Sequence, residues 1–185
     1  MDAEPSPTPF DVDLRDQNVA AFFAWLWPGA GHLYQRRYAK GALFMICILS
    51  TWFFGLALGG GHVVYASWNK MDRRWQYICQ LGVGAPAFPA MVQNVLVGKG
   101  FEPITEIMAP PMRPNEPNGS DRLADWNYTF HNFFELGTLY TVVAGLLNIL
   151  AIYDAYAGPV APLEPGKPPD DENDDEPAAS DEVPS

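Results

Sequence analysis

The sequence predicts an all-α fold, a multi-pass transmembrane helical bundle with about four membrane segments, an interfacial amphipathic helix and disordered tails. Two observations support this fold class. Four stretches of 18 or more residues contain no charged side chain, and 14 of the 22 acidic residues lie within residues 1–17 and 158–185. About 20 helical residues cross a hydrocarbon layer ~30 Å thick. Stretches of this length therefore indicate membrane segments, although the mean hydropathy of the whole chain is only −0.08.

The four stretches differ in strength. The second and fourth are rich in Leu, Ile, Val and Phe, which favour insertion into a bilayer. The first is interrupted by Pro28 and Gly29, so its helix either ends near Trp27 or bends there. The third contains Pro86 and Pro89, and it either spans the membrane or forms a broken or re-entrant segment. The membrane domain covers residues 18–157, with segments at about 18–35, 41–62, 75–98 and 136–157.

The two ends of the chain have the composition of disordered tails. Residues 1–17 and 158–185 are acidic and rich in proline, and they contain almost no large apolar side chains. Such segments cannot bury enough apolar surface to offset the entropy cost of ordering. The C-terminal tail either increases solubility or binds a basic partner. The net charge of −11 and the lack of a basic patch exclude nucleic acid as a predicted partner.

Residues 120–135 predict an amphipathic helix that leads into the last membrane segment. Apolar residues from Leu123 to Phe134 recur at helical spacing, with charged residues on the other side. The helix lies either in the membrane interface or on other protein loops. His131 and Glu135 are four residues apart, but one histidine and one carboxylate are too few for a metal site. The sequence predicts no metal, no cofactor and no disulfide framework.

Small and polar residues follow one face of two predicted membrane helices. In lipid, such residues allow backbones to approach and form hydrogen bonds between helices. We expect these two faces to make the main helix contacts. The predicted packing residues are Gly137, Thr141, Ala144, Asn148, Ala151 and Ala155 in the last segment, and Cys47, Thr51, Gly55 and Gly59 in the second.

Residues 28–41 combine a turn with a basic stretch. Pro28, Gly29 and Gly31 predict a tight hairpin turn, and Gly29-Ala-Gly-His-Leu-Tyr34 is followed by a basic stretch and the strongest apolar segment. This pattern resembles the hairpin of the TM-two domain family, over about residues 18–60. The whole region 18–157 resembles small bacterial membrane proteins of unknown function built on that hairpin. The resemblance implies the fold and a membrane location, and it implies no catalytic residues.

Charged residues close to the apolar segments are candidates for a functional site. Arg36, Arg37 and Lys40 are expected among lipid headgroups, where each contributes about 1 kcal/mol near an anionic surface. Asp154 is the ionisable residue closest to the predicted hydrocarbon region. Such an acid is either functional or reaches headgroup water from the end of its helix.

The sequence contains no recognisable catalytic motif. The leading interpretation is a non-enzymatic scaffold or accessory subunit in the cytoplasmic membrane. Its expected partners are the lipid bilayer and other membrane proteins or further copies of itself. A small transport or channel component is the alternative, based on Gln80, Gln93 and Asn94 in the broken third segment. An intramembrane enzyme that uses His131, Glu135 or Asp154 is the second alternative.

Overall fold

The computed structural model describes residues 16–68, 73–111 and 119–158. The secondary-structure elements assigned within these residues are all helices. The predicted tails lie outside the described residues, except for Asp16, Gln17 and Gly158. The α-helices are α1 Gln17–Leu26, α2 Ala30–Tyr34, α3 Tyr38–Leu58, α4 Gln76–Gln80, α5 Phe88–Gly98, α6 Gly119–Phe130 and α7 Asn132–Ala157.

Two long helices, α3 and α7, form an antiparallel pair at the centre of the fold. The beginning of α3 lies beside the end of α7, where Lys40 contacts Asp154. The other ends meet through glycine, since a Cβ atom on Gly55 would be 2.8 Å from the carbonyl oxygen of Gly137. Among the described residues, these two helices are long and apolar enough to cross a membrane. The prediction of an all-helical fold is confirmed for these residues, whereas four spanning helices are not.

The first predicted segment folds into a hairpin of α1 and α2, which we call the first hairpin. Pro28 cannot donate a backbone hydrogen bond, and α1 ends just before it at Leu26. Gly29 has a φ of 80°, and α2 then returns along α1. Their contact is tight, because a Cβ on Gly31 would be 2.2 Å from the carbonyl oxygen of Ala20. With 10 residues, α1 is about 15 Å long, half the thickness of a bilayer core.

The third predicted segment is also broken, and we call residues 76–98 the second hairpin. It consists of α4, two 3-10 turns (Leu81–Val83 and Ala85–Ala87) and α5. Between the two turns, Gly84 has a φ of 81°. The hydroxyl of Tyr77 in α4 donates a hydrogen bond of 2.7 Å to the carbonyl of Ala87, across the bend. Neither arm of this hairpin is long enough to span a membrane by itself.

The two hairpins approach α7 from opposite ends. The first hairpin ends next to α3 and Asp154, at the C-terminal end of α7. The second begins after Arg74, which contacts Thr138 near the N-terminal end of α7. It then descends along α7 until Gly82 meets Asn148. Thr138 and Asn148 are 10 positions apart in α7, which is about 15 Å along a helix.

The second arm of this hairpin is connected back to the end at which the hairpin begins. The side chain of Gln93 in α5 donates a hydrogen bond to the carbonyl of Ile107. The next residue, Met108, donates its backbone N–H to Gly61, just beyond α3. Both ends of the second hairpin are therefore linked to the C-terminal end of α3.

The helix α6 is separated from α7 by His131, which has a φ of 47°. Its apolar face contacts protein, because the Trp126 ring stacks on His62 with 4.5 Å between ring centroids. Trp126 and Phe130 also pack against the core. This arrangement corresponds to the alternative of a helix packed on protein loops. The side chains at positions 119–121 are outside the described part of the structure.

All six predicted packing residues of α7 are buried. The four predicted on α3 differ, since Gly55 and Gly59 are buried, Thr51 is half-buried and Cys47 is exposed. The prediction for Cys47 is wrong for a geometric reason. Four helical residues advance about 40° beyond a full turn. A series with a spacing of four therefore rotates away from the face that contains Gly55.

Candidate functional site

A cluster of charged and polar side chains surrounds Asp154 at the C-terminal end of α7, and we call it the Asp154 cluster. It consists of Asp154, His32, Arg37 and Lys40. The His32 Nε2 lies 2.6 Å from Oδ2 of Asp154. The Lys40 Nζ lies 2.7 Å from each carboxylate oxygen. The Arg37 Nη2 is more distant, 3.9 Å from Oδ2.

Local structure places each member of the cluster. His32 is in α2, which the turn at Gly29 directs back towards the beginning of α3. Arg37 lies immediately before α3, and Lys40 is in its first turn. Gln35, between the two helices, donates a 2.7 Å hydrogen bond to the carbonyl of Ala155. The α2–α3 connection is therefore fastened to the last turn of α7 by charged and uncharged contacts.

The Asp154 cluster carries excess positive charge at the surface. Arg37 and Lys40 face the single carboxylate of Asp154, and Arg36 is exposed beside them. His32 is completely buried and its ring contacts Phe44, with 4.9 Å between ring centroids. The Asp154–His32 contact places a carboxylate and an imidazole in hydrogen-bond geometry. The Asp154–His32 pair can hold a proton between its two side chains, and Asp154 can neutralise part of the positive charge of Arg37 and Lys40. Arg36 takes part in none of the ion pairs of the described residues.

A second polar site lies where the tips of the two hairpins meet α7, and we call it the hairpin junction. The side-chain Nδ2 of Asn148 donates to the carbonyl of Ala24, at 3.1 Å, and to the carbonyl of Gly82, at 2.9 Å. Ala24 belongs to the first hairpin and Gly82 to the second. The tips also touch directly, since a Cβ on Gly84 would be 1.9 Å from the carbonyl oxygen of Trp25.

The third polar site is built around Arg74, before the second hairpin. Its guanidinium donates to Tyr65, to the carbonyl of Val63 and to Thr138. It also lies over the Tyr65 ring, 4.2 Å from the centroid. Arg74 is 8% exposed, and no carboxylate of the described residues pairs with it. Hydrogen bonds and an aromatic face therefore stabilise this buried cation, and they attach the second hairpin to α7.

The structure brings together some of the residues predicted from the sequence and separates others. Asp154, Arg37 and Lys40 meet in one cluster, and Arg36 remains exposed. Sequence reasoning missed His32 as the partner of Asp154, although its motif was singled out, because the two are 122 positions apart. Arg74 was also missed, since a cation beside an apolar segment is typical of interfacial anchoring.

The described His, Cys, Asp and Glu side chains do not form a metal site of their own. No group of three or more His, Cys, Asp or Glu residues among them could hold a metal ion. His131 lies at the break between α6 and α7, and Glu135 lies in the first turn of α7. The break removes the helical i, i+4 relation between these two residues.

Comparison with known proteins identifies a family. A family of unknown function (DUF6677) matches residues 19–168, which is most of the chain. No curated protein and no solved structure matches the chain. The matching family is a different one from the TM-two domain, so that resemblance stays a prediction.

Proposed function

We propose that this chain, which belongs to the family of unknown function that it matches, is an integral protein of the cytoplasmic membrane that acts through interactions rather than catalysis. In this proposal α3 and α7 span the bilayer, and the two hairpins enter it halfway from opposite sides. The protein then serves as a scaffold or accessory subunit for other membrane proteins or for copies of itself. The observation that carries the proposal is the outward-facing apolar surface of α3 and α7.

The two long helices expose large apolar side chains, the opposite of the pattern in a soluble protein. Small and polar residues of α7 face the protein interior, while large apolar residues face outwards. The most apolar 18-residue stretch is only 22% buried in α3 and 33% buried in α7. A core helix of a soluble protein would bury most of such a stretch. Lipid chains or another membrane protein are the natural environment for this surface.

The hydrogen bonding of the hairpins fits the same environment. Non-helical backbone is tolerated at membrane depth only where it is buried in protein or lines water. The bend of the first hairpin places Ala24 against Asn148, and the bend of the second places Gly82 against the same side chain. Both tips are thus supplied with a donor from α7, which reduces the cost of inserting broken helices.

The two-span topology can be distinguished from four spans with single cysteines. In a background with Cys47→Ser and Cys79→Ser, we would introduce Arg36→Cys, Lys99→Cys or Ser185→Cys and label sealed vesicles of one orientation with an impermeant maleimide. Positions 36 and 99 are exposed. We expect positions 36 and 185 to react on one side and position 99 on the other. Four spans would place positions 36 and 99 together, opposite position 185.

The interaction role is proposed because the polar groups of the interior bind the protein itself. Asn148, Gln80 and Arg74 donate to backbone carbonyls or threonine hydroxyls of the same chain. At the outer surface, the groups available to another molecule include the apolar faces of α3 and α7 and the exposed side chain of Arg36. Those surfaces suit a membrane partner and anionic headgroups.

A photo-crosslinking amino acid on α3 tests for such a partner. Ile46 is 68% exposed and Ile48 is 1% exposed, so they form a matched pair on one helix. In native membranes, a probe at position 46 should trap a discrete protein adduct, and a probe at position 48 should not. A second probe at position 150, where Leu150 is 65% exposed, tests the outer face of α7 in the same way. Adducts with lipid alone at both positions 46 and 150 would contradict the interaction role.

A transport or channel component is the second candidate, favoured by the opposed hairpins. Broken helices that meet near the middle of a membrane from opposite sides are typical of transporter folds. The sites formed by such folds lie where the two halves meet, as the hairpin junction does. Sustained ion or solute flux through proteoliposomes that contain only this protein would support the second candidate and exclude a purely structural role.

A further inference from the structure

The hairpin junction contains the last backbone carbonyls of α1, to which the turn residues that follow the helix do not donate. The helix α1 ends at Leu26, and Pro28 has no N–H with which to close the last turn. Asn148 donates to the carbonyl of Ala24. No N–H group from a turn, loop or helix cap of the described residues donates to the carbonyls of Trp25 and Leu26. These are the two carbonyls against which Gly84 of the second hairpin is packed.

The side chain of Asn148 adds a third acceptor. Its Nδ2 donates to two carbonyls, which fixes the orientation of the amide, because a flipped oxygen would face both carbonyls. Its Oδ1 therefore remains an acceptor, and this atom is buried without a hydrogen-bond partner. Asn148 is 0% exposed. A buried acceptor without a donor destabilises the folded state unless something occupies its lone pairs.

The chemistry of the junction determines which ligand it suits. The C-terminal end of a helix carries a partial negative charge, and the end of α1 points to this place. Oxygen ligands of this kind bind hard cations, and broken half-helix ends coordinate sodium ions in membrane transporters. The nearest described acid along α7, Asp154, is six positions from Asn148, about 9 Å along the helix. A site of neutral oxygens suits one positive charge better than two, because no carboxylate offsets the desolvation of a divalent ion.

We propose that the hairpin junction binds a monovalent alkali cation through Oδ1 of Asn148 and the carbonyl oxygens of Trp25 and Leu26. The cation would join the ends of both hairpins at the middle of α7. This inference goes beyond the proposed interaction role, since a bound cation stabilises the fold whether or not the protein conducts ions. A water molecule is the competing occupant, and the experiment below separates the two.

Thermal unfolding of the full chain in nanodiscs measures the binding. The probes are lithium, sodium and potassium chloride, each compared with N-methyl-D-glucamine chloride at equal ionic strength. A ligand that binds only the folded state raises Tm in a saturable manner. At about 100 times the dissociation constant of the preferred ion, we expect a rise of several degrees. Equal Tm values in all four salts would show that the junction holds water only and would overturn the proposal.

Substitutions assign the effect to the junction. Asn148→Leu removes the oxygen ligand and should abolish the cation-dependent rise. Gln80→Met is the control, because Gln80 is an equally buried amide with an unpartnered Oε1, bonded to Thr141 two helical turns away. It should lower Tm in every salt and retain the cation-dependent rise. A rise that persists unchanged in Asn148→Leu would place the cation elsewhere and refute the site.

Asn148→Asp keeps the test decisive if the leucine variant does not fold. The substitution adds a negative charge and removes the donor to Ala24 and Gly82, so the fold should depend more strongly on a cation. We expect a larger difference in Tm between alkali and N-methyl-D-glucamine chloride than in the unsubstituted protein. An equal or smaller difference would contradict the proposed ligand role of this side chain. Flux assays on the same preparations report separately on transport and leave the binding result unaffected.

Discussion

Asp154 is the residue at which three elements of the structure meet. It contacts His32 of α2 and Lys40 of α3 from its own position in the last turn of α7. His32 has no exposed surface, and among the described residues its Nε2 is paired with this carboxylate. Loss of the carboxylate would leave a buried imidazole nitrogen without a partner, which costs more than loss of an exposed ion pair.

Asp154→Ala should therefore lower the free energy of unfolding by about 2–3 kcal/mol. Asp154→Asn should cost less, because its side chain can still form a hydrogen bond with His32. Asp125→Ala removes an exposed acid of α6 and should change the free energy of unfolding by less than about 0.5 kcal/mol. Thermal or denaturant unfolding in detergent measures all three. Equal losses for the alanine variants at positions 154 and 125 would show that the Asp154 cluster does not stabilise the fold.

Sequence reasoning located three of the four members of the Asp154 cluster. Asp154 near the end of one apolar segment, and Arg37 and Lys40 beside another, are visible without a structure. Their pairing is not, because Lys40 and Asp154 are 114 positions apart and meet only when α3 and α7 are antiparallel. Cys47 shows a different error, because the sequence predicted a packing contact there and the structure leaves the residue exposed. A regular spacing in the sequence indicated a packing face that the true helical period turns away from the partner.

At the scale of elements, close approach of α7 and the second hairpin depends on Gly145. A Cβ at this position would be 2.0 Å from the carbonyl oxygen of Cys79, a backbone atom that cannot rotate away. Gly145→Ala should therefore lower the free energy of unfolding by about 1–3 kcal/mol or more, because even one extra carbon in a tightly packed contact typically costs this much. Thermal unfolding in detergent provides the measurement.

The matched control for this substitution is Gly98→Ala. Gly98 is also helical, at the end of α5, but a Cβ there would have no neighbour within 4 Å. Alanine at this position should be neutral or stabilise the protein by up to about 1 kcal/mol, since it restricts the unfolded chain. Similar losses for both substitutions would indicate a general effect of helix glycines and would argue against close packing at Gly145.

The elements were predictable to different extents. Apolar length and composition identified α3 and α7, because a spanning helix is a local property of the sequence. Pro28, Pro86 and Pro89 identified where the other two segments are broken. The direction in which each broken segment returns could not be read from the sequence. It depends on Gly31 packing on Ala20 and on the Tyr77–Ala87 hydrogen bond, which are tertiary contacts.

At the scale of the whole molecule, the outward apolar faces of α3 and α7 determine how the protein can be extracted. A protein that lies on a membrane is released by alkali, whereas one with spanning helices stays in the lipid. We expect the full chain to remain in the pellet after washing at alkaline pH and to require detergent for release. A known peripheral protein in the same membranes serves as the control. Recovery of the chain in the alkaline supernatant would contradict the proposed spanning role of both helices.

The bond between Asn148 and Ala24 has a consequence for the synthesis of the chain. The two residues are 124 positions apart, and Pro28 prevents the nearby backbone from supplying the same hydrogen bond. When the ribosome has made only the first hairpin, the donor that will satisfy Ala24 does not yet exist. The first hairpin therefore cannot form all of its final hydrogen bonds until α7 has been translated. The first helices to be made are therefore among the last to be completed.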